Sequence, residues 1–155
     1  MPMLENRIPP PVMTVMFGAG MWAVEHWSPT EPADARPLWR MGVALLMFVG
    51  AGGVGLPAIR AFRQVGTTID PVHIERASSI VTTGVYRFTR NPMYVSLSMM
   101  LVAWALWLGG RWSWVGPVLL VLWLDRFQIR PEERIMQARF GEAYRQYCAR
   151  VRRWL

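Results

Sequence analysis

The sequence has 155 residues, of which 53% are hydrophobic and 17% are charged. This length suits one domain, and the charged residues stand in blocks rather than being spread evenly. Segments that cross hydrocarbon confine charge to loops and ends, so this distribution argues against a soluble domain and indicates a membrane protein. Nine tryptophans in so short a chain suit the headgroup level of a bilayer.

The net charge is +7, and all seventeen basic residues are arginine. A nucleic-acid-binding protein would carry a basic patch on a soluble fold, so we predict no nucleic-acid partner. Attraction to anionic membrane lipids is one explanation of the basicity. The positive-inside rule explains most of it, because the arginines cluster on one side of the predicted membrane segments.

The cysteine and histidine content excludes two kinds of site. Cys148 is the only cysteine, so no internal disulfide forms, and no histidine stands near it in sequence to make it a nucleophile. Neither His26 nor His73 has a metal-ligand spacing to a cysteine or to the other histidine, so no metal is predicted.

The first half of the chain contains two apolar runs. Val12–Trp27 is short for a full span, and the proline-rich Ser28–Pro37 that follows predicts a loop. Leu38–Ile59 is long enough to cross ~30 Å of hydrocarbon at ~1.5 Å per residue. Its glycines predict close packing between membrane helices; they are Gly50, Gly52, Gly53 and Gly55.

The second half opens with a polar stretch, Arg60–Pro92, which is too long for a tight turn and is typical of a functional loop. Two more apolar runs, Met93–Leu108 and Trp114–Phe127, flank the turn Gly109–Arg111 and predict a helical hairpin. The charged tail Arg130–Leu155 repeats apolar residues every three to five positions and predicts an amphipathic helix that Gly141 weakens modestly. These apolar residues are Ile135, Phe140, Tyr144, Tyr147 and Val151.

The arginines set the expected orientation. The polar stretch and the tail are both strongly basic, so both are predicted to be cytoplasmic, whereas Ser28–Pro37 and Gly109–Arg111 face the other side. The prediction is therefore an all-α integral membrane protein with about four transmembrane helices, a hairpin of the third and fourth, and an amphipathic C-terminal cytoplasmic helix. Both termini lie inside.

Two polar blocks meet on the cytoplasmic side of this arrangement. In the first, TTGVYRFTRNPMY, Pro92 suits the first position of a helix and Asn91 suits its cap. A helix N-terminus favours an anion, and Arg87 and Arg90 add positive charge nearby. In the second block, Glu132 and Glu133 follow the fourth apolar run; as charges at a membrane boundary they are equally well explained as ordinary anchors.

The two blocks resemble a known family. GVYRFTRNPMYVS, a hairpin, and then EERIMQARFGEAYRQYCARVRRWL look like the isoprenylcysteine carboxyl methyltransferase family, in its prokaryotic branch, and related membrane phospholipid methyltransferases share parts of the pattern. The resemblance covers about half of the chain, from Thr82 onward. The matching residues are Gly84, Tyr86, Arg90, Pro92, Tyr94, Glu132, Glu133, Phe140, Gly141, Tyr144 and Tyr147.

This sequence departs from the family pattern at three positions. The family's histidine before the proline is Asn91, its proline after the first glycine is Val85, and its later glycine is Ser96. The histidine helps to hold the cofactor in the family, and asparagine also donates and accepts hydrogen bonds. The departures put the identity of the substrate in doubt.

The resemblance implies S-adenosylmethionine as the methyl donor, in a site closed by the tail. The implied cofactor-binding residues are Gly84, Val85, Tyr86, Arg90, Asn91, Pro92, Tyr94, Glu132 and Tyr144. The aromatic faces of Tyr86, Tyr94 and Tyr144 suit the sulfonium, although Tyr94 and Tyr144 fit simple packing equally well. Either Glu132 or Glu133 suits the ammonium, and Arg90, Asn91 and the helix start suit the carboxylate.

The implied catalytic residues are Arg130, which would orient the acceptor, and Glu133, which would shape or deprotonate it. The sequence therefore predicts a single membrane methyltransferase domain in a bacterial inner membrane, with two N-terminal spans in residues 1–60 and a cofactor-binding core in residues 61–155. The predicted partner is a lipophilic or small acceptor, a carboxylate, thiol or amine, that enters from the bilayer. The alternatives are a phospholipid amine N-methyltransferase and a non-enzymatic protein whose basic tail binds anionic lipid or a partner.

Overall fold

The computed structural model describes residues 8–28, 37–65 and 79–155, and these residues form helices and turns without a strand. The five α-helices are α1 (Pro10–Trp27), α2 (Leu38–Val65), α3 (Pro92–Leu108), α4 (Val115–Trp123) and α5 (Arg130–Arg150). Two short 3-10 turns, Gly84–Arg87 and Arg111–Trp114, precede α3 and α4, and a π-helical segment, Leu124–Ile129, joins α4 to α5. The all-α prediction is confirmed. Most of the predicted loop Ser28–Pro37, the middle of the stretch Arg60–Pro92 and His73 lie outside the described residues.

The helices carry large apolar side chains on their outward faces, as expected of an all-α membrane protein. Three of them, Val15, Leu46 and Leu122, are each at least 60% exposed. Exposed apolar side chains of this kind suit contact with the acyl chains of lipids. Within the described ranges, Leu38–Gln64 is the one helix long and apolar enough to cross a membrane, and α3 is apolar but shorter. The count of four spans therefore stays a prediction.

The polar stretch was predicted to begin at Arg60, and that boundary is wrong. The helix α2 continues through Val65, because alanine, arginine and glutamine after Ile59 are good helix formers and need no apolar environment to stay helical. The second helix therefore extends beyond its apolar run, towards the residues that precede the first motif block.

The helix α3 lies at the centre of the fold, with both α1 and α2 packed on it. Ser96 Oγ on α3 donates a hydrogen bond to the carbonyl oxygen of Ala51 at 2.8 Å. A Cβ atom on Gly55 would lie 2.5 Å from that hydroxyl, so glycine is needed for this approach. The packing role predicted for the glycines is confirmed for Gly50 and Gly55, whereas Gly52 and Gly53 have no described atom close enough to require them.

The hairpin of α3 and α4 forms as predicted. Gly109 ends α3 with a φ of 96°, a conformation that glycine adopts without strain. Buried Leu101 and Ala105 of α3 pack with Leu120 of α4 and with Met21 of α1. At the end that carries the turn, Arg40 of α2 donates to the Gly109 carbonyl, so the start of α2 and the turn share one end of the bundle.

The opposite end of the bundle carries both motif blocks. The fourth helix does not stop at Phe127, because the π-helical segment carries the backbone without interruption into α5. Gly141 was expected to weaken α5 modestly, but its φ of 52° and ψ of −119° interrupt the helix with a kink. Only glycine adopts these angles readily.

Beyond the kink, the predicted apolar face of α5 packs inward. Tyr144, Tyr147 and Val151 are buried together against Ile80 and Phe140, which confirms most of the predicted amphipathic stripe. Residues 151–155 then run back to the start of α3, where Trp154 packs against the main core. We call residues 151–155 the C-terminal strap.

Candidate active site

The two motif blocks, separated by about forty residues in sequence, meet at the start of α3. Arg90 Nη2 donates to Glu133 Oε1 at 2.8 Å, and the hydroxyl of Tyr94 donates to Glu132. The connection between the blocks is the hairpin, which carries the chain away along α3 and returns it along α4. The two blocks, which the sequence predicts to meet, are therefore in direct contact, and their role as one binding site stays a prediction.

Glu132 is held by neutral donors alone. Gln128 Nε2 donates to its Oε1 at 3.0 Å, in addition to the Tyr94 hydroxyl, and no described arginine contacts it. Burial raises the pKa of Glu132 to about 7, although the two hydrogen bonds favour the ionised form. A buried carboxyl group without a counter-ion attracts a cation, because a positive charge beside it removes the cost of ionising it.

Glu133, in contrast, has both carboxylate oxygens occupied by arginines. Arg153 contacts it in the forked, bidentate manner, with Nη2 2.6 Å from Oε2 and Nε 3.1 Å from Oε1, and Arg90 shares Oε1. Such charge-assisted pairs are the strongest hydrogen bonds that proteins form. Glu133 therefore holds other side chains in place, and its predicted role in deprotonating an acceptor stays a prediction.

Arg130 does not join Glu132 or Glu133. Its guanidinium pairs with Asp125 of the π-helical segment at 2.8 Å, and its side chain is 55% exposed. Asp125 also accepts a hydrogen bond from Arg153 Nη1 at 3.0 Å. The predicted role of Arg130 towards the acceptor stays a prediction, and the geometry places this residue at the exposed rim of the ion-pair network.

Arg90 has one donor that the protein leaves unused. Its Nε atom is buried and has no hydrogen-bond partner among the described residues, whereas its Nη2 atom binds Glu133. A buried charged donor without an acceptor is costly, so this atom marks a place where an anionic oxygen would be stabilised.

All four tyrosines of the chain surround the two blocks. The Tyr147 hydroxyl donates to the backbone carbonyl of Tyr86 at 2.7 Å, and the rings of Tyr144 and Tyr147 lie 6.3 Å apart. Burial raises the pKa of Tyr86 well above its usual value, and the nearby Tyr147 and Glu132 groups add to the shift. Burial likewise raises the pKa of Tyr144 and raises that of Tyr147 to about 12, so these phenols stay neutral at physiological pH.

The remaining predicted cofactor residues shape the backbone of the first block. Gly84 has a φ of 60° and starts the 3-10 turn, Val85 packs against α2, and buried Pro92 opens α3 as expected. Asn91 occupies the N-cap position of α3 as predicted, but its side chain makes no cap hydrogen bond and instead donates to the carbonyl of Arg153 at 2.9 Å. The C-terminal strap offers Asn91 an acceptor that sequence reasoning did not foresee.

Two cavities bear on ligand access. A polar cavity of about 230 Å³ beside the first block is bordered by Thr82, Arg87, Tyr147, Arg150 and Val151. A larger, apolar cavity of about 640 Å³ lies between α1, α2 and α3, bordered by residues such as Gly18, Phe48 and Trp104. Of the α3 residues that border this cavity, Met100 is the closest to Tyr94 in sequence, and the two lie about 9 Å apart along the helix. This gap between helices lies in the half of the bundle away from the motif blocks.

Sequence reasoning missed Arg153, which contacts Asp125 and Glu133 and whose carbonyl binds Asn91. Its only signal was one more arginine in a basic tail. The contact depends on the chain reversing after α5, and no local pattern encodes that reversal.

Comparison with known proteins shows which family the chain resembles. A family profile described as phospholipid methyltransferase matches residues 39–143. These residues include nearly all of α2, the first motif block, the hairpin and the beginning of the second block, with Glu132 and Glu133. An uncharacterized protein of Haemophilus influenzae is 46% identical over 63 residues, which are 41% of this chain and the full length of that protein. No solved structure matches the chain.

Proposed function

The chain belongs to the phospholipid methyltransferase family, and from that premise we propose that it transfers a methyl group from S-adenosylmethionine to a lipophilic or small acceptor that reaches the site from the bilayer. Membership makes it a membrane methyltransferase in general terms. The methyl donor, the acceptor and the orientation in the membrane are the proposed parts.

One observation carries the choice of donor. The site presents a half-buried carboxyl group without a counter-ion, on Glu132, and a buried cationic donor without an acceptor, on Arg90 Nε. Tyr94, whose hydroxyl donates to Glu132, follows Arg90 by four residues. S-adenosylmethionine carries an ammonium, a carboxylate and a sulfonium, so its amino-acid end complements both groups. When bound, it supplies a methyl group activated by the positive charge on sulfur.

The residues of the chain have separate parts in this proposal. Glu132 pairs with a positive charge of the donor, and Arg90 Nε binds the carboxylate. The rings of Tyr86, Tyr94 and Tyr144 provide aromatic surface for a cation. Because methyl transfer is an in-line displacement, alignment of donor and acceptor is the main contribution that the protein makes.

The proposed orientation in the membrane rests on the distribution of the arginines. The strongly basic tail and the region before α3 lie at the end of the bundle that holds the site, so the positive-inside rule places that end in the cytoplasm of a bacterial cell. The N- and C-termini are then both cytoplasmic, and an acceptor in the inner leaflet approaches at the level of the first turn of α3.

A second candidate is N-methylation of a phospholipid amine, which the polar cavity favours. Arg87 and Arg150 border that cavity and are exposed, an arrangement suited to a lipid phosphate. The same chemistry at the site would then act on an amine headgroup. The exposed arginines of α5 also fit the third possibility, a protein that binds anionic lipid without catalysis.

The test is transfer of a radiolabelled methyl group by the detergent-purified protein. Three acceptors are tested in separate reactions: an aminophospholipid in vesicles, an alkyl thiol and a fatty acid. We expect label in one acceptor with wild type and at least about a tenfold loss with Glu132→Gln, whereas Arg145→Gln on the exposed face of α5 keeps the activity. Binding of anionic vesicles without label transfer from any acceptor would favour the non-enzymatic alternative.

A further inference from the structure

The C-terminal strap binds the three consecutive residues that immediately precede α3. The carbonyl of Arg152 accepts the backbone N–H of Arg90 at 2.9 Å. The carbonyl of Arg153 accepts the Thr89 hydroxyl at 3.2 Å and the Asn91 side-chain amide at 2.9 Å. These contacts fix the backbone of the first motif block against the last residues of the chain.

The side chain of Arg153 connects the strap to the second block. Its guanidinium makes the two contacts with Glu133 described above and a third with Asp125 at 3.0 Å. The pKa of Arg153 is raised, chiefly by its hydrogen bonds to Glu133, as these contacts favour the charged guanidinium. Lysine cannot reproduce this arrangement, because an ammonium is a point charge without the planar fork.

The position of Arg153 decides how Arg90 binds Glu133. Arg153 takes Oε2 entirely and shares Oε1, so Arg90 reaches the carboxylate through Nη2 only. Without Arg153, both oxygens of Glu133 would be open to the bidentate pairing that arginine prefers with carboxylates. Arg90 would then turn its Nε towards Glu133, and the unused donor of the site would be lost.

We propose that Arg153 is a positioning residue that keeps Arg90 Nε available for the carboxylate of the methyl donor by occupying Glu133. This inference rests on the proposed function, because it assigns the freed donor to S-adenosylmethionine. It goes beyond that function by giving the C-terminal strap a defined part in binding the donor, with Arg153 acting through Glu133 and Arg90.

The first measurement is the dissociation constant for S-adenosylmethionine, by calorimetry on the purified full-length protein. Arg153→Gln and Arg153→Lys are expected to weaken binding by about 10-fold to 100-fold, because both lose the fork. Arg145→Gln is the matched control: it removes the same charge and also breaks an ion pair, that with Glu142, at the surface. Wild-type affinity in Arg153→Gln, or an equal loss in Arg145→Gln, would overturn the proposal.

A double-mutant cycle with Glu133→Gln separates positioning from general structural damage. An amide at position 133 no longer competes as a carboxylate for Arg90, so Arg153→Gln should cost much less in that background than in wild type. Equal losses in the two backgrounds would show that Arg153 does not act through Glu133 and would contradict the inference.

Hydrogen exchange keeps the inference testable apart from the proposed function. The Arg90 amide is bonded to the Arg152 carbonyl, so Arg153→Gln should speed its exchange, while the amides of α1 keep their rates. Unchanged exchange at Arg90 would overturn the strap's role. Absence of S-adenosylmethionine binding in wild type, together with faster exchange in Arg153→Gln, would refute the proposed donor and leave the tether itself supported.

Discussion

Glu132 and Glu133 are neighbours in sequence, yet their partners give them opposite properties. Glu133 is neutralised by two arginines, whereas Glu132 receives hydrogen bonds from a phenol and an amide only. On a helix, adjacent residues point about 100° apart, so one faces the strap and the other faces α3. The sequence offered two equivalent carboxylates, and only the neighbours contributed by other elements distinguish them.

This difference predicts how donor binding responds to pH. The pKa of Glu132 is raised from 4.5 to about 7, so at lower pH a cation binds only after the group loses its proton. Affinity for S-adenosylmethionine should therefore rise by about tenfold per pH unit from about pH 5.5 to pH 7 and then level off. Calorimetry across this range tests the prediction; Glu132→Gln should remove the dependence, and a dependence that persists in that variant would contradict the assignment.

The same group predicts a pH dependence of stability without ligand. Between pH 4.5 and about 7 the folded protein holds a proton on Glu132 that the unfolded chain has released. The free energy of unfolding contributed by this group therefore falls as pH rises through that window and is constant above it. Thermal melts of wild type and Glu132→Gln should diverge in favour of the variant as pH rises to 7; parallel curves would contradict the raised pKa.

At the level of secondary structure, some helix boundaries were predictable because residues that begin or end a helix mark them in the sequence. The predicted third run, Met93–Leu108, differs from α3 by one residue, because Asn-Pro at one end and Gly-Gly at the other act locally. The end of α2 was missed because its last turns are polar but helix-forming. The end of the fourth helix was missed because the π-helical segment changes the hydrogen bonding without breaking the helix.

The packing of α2 on α3 predicts unequal effects of alanine at the glycines of α2. Gly55→Ala places a methyl group 2.5 Å from Ser96 Oγ, whereas Gly53→Ala meets nothing described within 4 Å. We expect Gly55→Ala to lower stability by about 1–3 kcal/mol and Gly53→Ala to leave it unchanged or raised. Thermal unfolding in detergent measures both.

Adding Ser96→Ala to Gly55→Ala removes the nearest clashing atom and should recover part of the loss, since Ser96 Cβ is farther away, at 3.1 Å. Equal melting temperatures for Gly53→Ala and Gly55→Ala would show that the close approach of the two helices does not contribute to stability.

In the whole molecule, the site lies at one end of the bundle because the chain reverses its direction twice. The hairpin returns the second motif block to the first, and the strap returns the C-terminus to both. The sequence predicted the first reversal, because Gly109 and Gly110 mark it. It did not predict the second, which depends on Trp154 packing into the core and on Arg153 reaching two acidic side chains.

The proposed orientation predicts which ends of the bundle are accessible to membrane-impermeant thiol reagents. In a Cys148→Ala background, Ser28→Cys stands after α1 at the end with the hairpin turn, and Arg145→Cys stands on the exposed face of α5. We expect reaction at position 28 in intact bacterial cells and at position 145 only after the membrane is opened. Labelling of position 145 in intact cells would reverse the proposed orientation.

Glu132 and Arg90 are proposed to form the binding site for the methyl donor, where the two motif blocks meet. Titration of the folded, monodisperse protein with S-adenosylmethionine by calorimetry at pH 7 tests it most directly. We expect saturable binding in wild type and in Arg145→Gln, and binding at least about tenfold weaker in Glu132→Gln. Absence of binding in wild type, or undiminished binding in Glu132→Gln, would contradict it.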